Sequence, residues 1–79
     1  MSMMGLESRH PAIRQIARYF TYDHLPEPLQ SISAPCAQLA EDMIELLPDG
    51  PELTTGLRKL LEAKDCFVRA ALPPEEAAQ

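Results

Sequence analysis

Pro48-Asp49-Gly50-Pro51 lies between two long stretches, residues 28–47 and 51–72, in which apolar side chains recur at helical spacing. A link that short allows only an antiparallel return, so the sequence predicts a hairpin of two long helices. Pro26 and Pro28 mark the start of the first arm, because proline fixes φ and a first-turn position needs no donated hydrogen bond. Pro73-Pro74 stops the second arm, and Glu52 stands at its positive end. A shorter pattern precedes both. His10-Pro11 opens it, with Ser8 or His10 as the cap, and Ile13, Ile16, Ala17 and Phe20 share one face. Residues 1–9 read as a flexible tail, 10–72 as the helical hairpin domain and 73–79 as a disordered acidic tail.

In the first arm, Leu29, Ile32, Cys36, Leu39, Met43 and Leu46 step by three, four, three, four and three. This heptad-like seam predicts shallow-angle packing against the second arm. Pro35 removes the bond to the Ser31 carbonyl and crowds it, which predicts a kink near 31–34 or two abutting helices. The second arm carries more than one apolar stripe. Leu60 and Phe67 can face the first arm while Leu61, Val68 and Leu72 look elsewhere. Leaving that flank bare would create an interface-like patch. The expected fold class is therefore all-α: a helical hairpin with a short N-terminal helix, assembled into a homo-oligomer around a two-fold axis. The alternative is a leading helix that folds back over the flank, making a monomeric three-helix bundle.

At 79 residues the chain is one domain at most, and helical domains this small usually need a staple, a metal or a partner subunit. Cys36 and Cys66 are the only cysteines, and no CxxC or Cys/His spacing suggests zinc. They read as two buried free thiols, or else as a disulfide between the long helices. No apolar run approaches the roughly 20 residues of a membrane span. Residues 1–6 lack the basic start and apolar core of a signal peptide, so a cytoplasmic setting is expected.

The net charge of −5 argues against a long nucleic acid as partner, because there a basic surface supplies most of the affinity. The distribution says more than the total. From Tyr19 to Leu57 there are seven acids and no Lys or Arg. The bases form two blocks, Arg9, Arg14 and Arg18 early, and Arg58, Lys59, Lys64 and Arg69 late. Such blocks usually form a solvated helix face, but an acidic protein can still aim a few bases at one small anion.

Enzymatic chemistry finds little support. There is no GxSxG elbow, HExxH pair, Gly-rich phosphate loop or Walker lysine. Glu41, Asp42 and Glu45 have no histidine nearby and read as a polar helix face rather than a metal site. No catalytic residue, metal ligand or cofactor is expected, and non-catalytic binding is the better class. Residues 19–26, YFTYDHLP, hold three of the four aromatics and one of the two histidines. A loop at an interface can present rings that a continuous helix would bury.

The stretches FTYDHLP, LAEDM and LPDGPELTTGLRKLLEAKDCFVRAAL resemble the helical-hairpin domain shared by phage anti-CBASS and anti-Thoeris proteins. The resemblance runs from Phe20 to Leu72. It implies a sponge that sequesters nucleotide second messengers of bacterial immunity without cleaving them, in the cytoplasm of an infected host. Assembly as a homo-oligomer, often a hexamer, with cyclic dinucleotides or trinucleotides held between protomers, is also implied. Tyr22 matches a tyrosine that lies against a base, and Arg69 matches an arginine that reaches phosphate. Phe20, Thr21, His24, Lys59, Lys64 and Arg18 complete the expected ligand-binding set. Two positions depart from the pattern: a base common in the second helix falls at about Ser33, and Pro35 is unusual there. Arg14 or Arg18 would then supply the missing cation.

Such a ligand suits these residue types. Bases stack on aromatic rings for about 1–3 kcal/mol each, and guanidinium offers phosphate a bidentate match that lysine lacks. Two further readings compete with it: an acidic helical module that docks on and regulates a host protein, and an oligomerisation domain without a ligand.

Overall fold

The computed structural model describes residues 6–72, which are all-helical with no strand. A 3₁₀ turn at Leu6–Ser8 leads into α1, Pro11–Ala17, which tightens into a second 3₁₀ turn at Arg18–Phe20. Two 20-residue helices follow, α2 at Glu27–Leu46 and α3 at Pro51–Ala70. Sequence chemistry accounts for the boundaries. His10 caps α1, its Nδ1 accepting the Ala12 N–H at 3.0 Å, and Pro11 fills the first turn. The Thr21 hydroxyl donates to the Arg18 carbonyl at 3.0 Å as the chain leaves its 3₁₀ turn. Gln30 then ties the following loop down, its Nε2 donating to the Leu25 carbonyl at 2.8 Å.

The leading helix folds back on the hairpin. Ile13, Ile16, Ala17 and Phe20 share one buried cluster with Ala37, Ala40 and Ile44 of α2 and Leu53 and Leu57 of α3. Leu61 packs on this cluster and lines a small groove with Ala12, Ile16 and Tyr19, so α1 covers the flank that the alternative three-helix arrangement assigns to it. The two side chains best sealed by volume, Phe20 and Ile13, both come from the leading segment. Each such burial stabilises the fold by about 1.5–3 kcal/mol.

Four sequence expectations change. First, residues 6–9 are not tail: Leu6 packs against the core, and Arg9 reaches the far end of the hairpin. Residues 1–5 and 73–79 lie outside the described range. Second, the heptad seam of α2 is only in part its buried face. Cys36 is buried and Met43 packs on the core, but Ser33, Ala37, Ala40 and Ile44 make up the rest of the buried side, while Leu39 is 46% exposed and Leu46 73% exposed. The small side chains let neighbours approach closely, so α2 turns its alanines inward and leaves the leucines outside. Third, Pro35 does not divide the helix. It sits on the exposed side of a continuous α2. Fourth, the cysteines differ: both are free, but only Cys36 is buried and Cys66 is exposed.

Candidate functional site

The turn after α1 and the last third of α3 face each other across an open groove of about 430 Å³. Arg18, Tyr19, Thr21 and His24 line it from the turn and loop, and Lys64, Asp65, Val68 and Arg69 from α3. The register of α3 produces this: residues 64, 65, 68 and 69 share one face, next to the Leu61 position that α1 covers. The 3₁₀ turn matters as much. It carries Phe20 into the core while Tyr19 points out, 60% exposed.

Three bases against the single acid Asp65 leave the groove a surplus of two positive charges, histidine counted neutral. Lys64 already pairs with that acid, Nζ to Oδ1 at 3.0 Å. Arg69 donates from Nη2 to the Cys66 sulfur at 3.4 Å, a weak acceptor that a phosphate oxygen would outcompete. Arg69 also stands in the last turn of α3, where the helix dipole favours a cation. Among the described residues neither arginine of the groove is in an ion pair.

The groove thus brings together five of the eight expected ligand-binding residues: Arg18, Thr21, His24, Lys64 and Arg69. The other three lie elsewhere. Phe20 is a core residue, 1% exposed, and holds the leading turn against the hairpin. Tyr22 is half-buried against the same core rather than in the groove. Lys59 is exposed on α3 but lines no part of it. Tyr19 is the aromatic of the groove, and the helical wheel carries the signal: Ile13, Ile16, Ala17 and Phe20 define the inner face, with Tyr19 off its edge. Arg14 is exposed and also stands outside. Ser33 is sealed in the interior with no hydrogen-bond partner for its hydroxyl, so a base at that position would enter the core.

The remaining chemistry is sparse. Among the described residues no group of His, Cys, Asp and Glu could hold a metal ion. No helix there is long and apolar enough to cross a membrane. At the turn end of the hairpin a second groove, about 490 Å³, is almost entirely apolar, with Leu39, Met43, Leu47 and Leu60 among its walls. Comparison of the chain with protein-family models, with curated proteins and with solved structures finds no match.

Proposed function

We propose that this protein is a viral anti-immune sponge: it binds cyclic oligonucleotide messengers without cleaving them and so blocks CBASS-type signalling in the bacterial cytoplasm. One observation carries the reading: Arg18, Lys64, Arg69 and the exposed ring of Tyr19 converge on one open groove. A cyclic dinucleotide offers two phosphates and two flat bases, and the groove offers two surplus positive charges and a stacking surface. Guanidinium and ammonium groups would hold phosphate, and Tyr19 would lie against a base. Capture needs no general base, and its effect follows mass action, since a tightly binding, abundant protein lowers the free messenger. The resemblance of residues 20–72 to anti-CBASS proteins supports the same ligand class and a homo-oligomeric form.

The test is retention. The purified protein is incubated with 3′,3′-cyclic GMP–AMP and related cyclic dinucleotides and trinucleotides, washed on a filter and denatured. Release of intact nucleotide is the expected result. Altered nucleotide would identify an enzyme, and no retention of any compound would remove the sponge reading. A second reading, a small acidic interaction module acting on a host protein, draws on the apolar groove at the turn end, flanked by Asp49 and Glu52.

A further inference from the structure

α2 and α3 each present two apolar faces, and α1 covers only one side of the hairpin. On the opposite side Leu39 and Leu46 of the α2 seam are exposed. Beside it α3 presents Gly56, Leu60, Ala63 and Phe67 at spacings of four, three and four. Phe67 is 55% exposed. The two grooves on this side are both apolar, one at the turn end and one at the open end around Ile32, Pro35 and Phe67. They are parts of one face that runs the length of both helices.

Gly56 is the second observation. It stands inside α3, where glycine is among the least favourable residues for a helix. Among the described residues nothing needs it, because a Cβ built there meets no atom within 4 Å. Its backbone lines the apolar groove. A bare helix backbone in a groove wall suits close approach from outside the chain.

We propose that this face is buried against the same face of a second copy, forming a four-helix arrangement with Gly56 at the close crossing. Two 20-residue helices are each about 30 Å long and lie about 10 Å apart, so the face offers roughly 600 Å² per copy. Specific interfaces begin at about that size. Shape favours a copy over one foreign helix, since the face is two helices wide and another two-helix face matches it. The cationic groove lies on the other side of α3 and stays open.

The inference deepens the homo-oligomer part of the functional reading and is independent of the nucleotide part. Light-scattering mass is measured for the wild type and for the double variant Leu39→Glu, Leu46→Glu, alongside helical circular dichroism. The expected result is a two-fold lower mass in the variant with the helical signal unchanged, whatever multiple of two the wild type forms. A wild type with the mass of one chain overturns the proposal. So does a variant that keeps the wild-type mass, or one that loses its helices, which would make the leucines part of the monomer's own fold. Gly56→Ala, which adds one methyl group, should raise the dissociation constant several-fold, and an unchanged constant would remove the glycine from the crossing. Nucleotide retention on the filter can fail while the mass still halves, so the two readings fail separately.

Discussion

Arg9 and Asp49 are 40 residues apart in sequence, and Arg9 Nε lies 2.6 Å from Asp49 Oδ1. The rest of the guanidinium is spent on the end of α2: Nη2 donates to the Leu47 carbonyl at 2.7 Å and Nη1 to the Ile44 carbonyl. Those are carbonyls that a helix terminus leaves without partners. The His10 N–H completes the contact, donating to Asp49 Oδ2 at 2.8 Å. One arginine therefore caps α2, anchors the hairpin turn and fixes where α1 begins.

Arg9→Ala should lower stability by about 2 kcal/mol, the typical worth of charge-assisted hydrogen bonds to otherwise orphaned carbonyls. Urea unfolding followed by circular dichroism measures it. An unchanged midpoint would make the contact ornamental and return residues 6–9 to the tail that the sequence suggests.

The Asp49 carboxyl gives that clamp a pH dependence. The Arg9 side chain first, and the His10 N–H second, hold its pKa below the ordinary value of 3.8. A carboxyl lowered in the folded state adds stability that is fully present above its unfolded pKa and is lost as pH falls through its folded one. The gap in melting temperature between wild type and Asp49→Asn should thus be widest above about pH 5 and narrow progressively as the pH falls below the ordinary carboxyl value. A gap that stays constant down to acid would mean that ionisation of Asp49 contributes nothing.

The hairpin was legible in the sequence because Pro48–Pro51 admits one geometry and because proline and histidine punctuate α1 so clearly. The face of α2 was not. Ala37 and Ala40 are as compatible with a helix interior as Leu39 and Met43 are, and hydrophobicity alone favours the leucines. What decides is the bulk that α1 and Phe20 bring against α2, a tertiary fact invisible to periodicity. Arg9 was hidden for a similar reason, since nothing local relates it to residues 44–49. In the candidate site, Arg18, Lys64 and Arg69 were legible as charge blocks, and only the fold shows that the two blocks meet. Tyr22 drew attention for standing past the helix end, yet the 3₁₀ turn exposes Tyr19 instead.

That placement separates two lysines that composition treats alike. If the cationic groove holds phosphate, Arg69→Ala should weaken cyclic dinucleotide binding by about ten- to a hundred-fold, as for loss of a charged hydrogen bond of roughly 1.5–3 kcal/mol. Lys64→Ala should weaken it as well, and Lys59→Ala should leave it unchanged, because Lys59 lines no part of the groove. Titration calorimetry on the three variants reads this directly. Equal losses at Lys59 and Lys64 would point to diffuse attraction rather than a site.

Gly56→Ala has opposite expected effects on the two levels of structure. Within one chain the added methyl meets open space and relieves a helix penalty of about 1 kcal/mol, which raises the melting temperature by about 4–8 °C. Between copies the same methyl intrudes on the crossing. Because association stabilises the folded form by mass action, the gain should be full in dilute solution and shrink as protein concentration rises. A gain independent of concentration would leave the apolar face without its proposed occupant.

Asp65 is the acid inside the candidate groove, and it draws the Lys64 ammonium to itself at 3.0 Å. A phosphate arriving there must displace that carboxylate from Lys64 and tolerate its charge nearby. Asp65→Asn removes both obstacles while keeping the side-chain shape, so cyclic dinucleotides should bind several-fold more tightly. The carboxylate is half-exposed, so added salt should screen its repulsion and narrow the difference between variant and wild type. Calorimetry at low and high salt checks both statements. Weaker binding in Asp65→Asn would mean that the carboxylate orients Lys64 for the ligand instead of competing with it, and equal binding at every salt concentration would place the phosphates outside this groove.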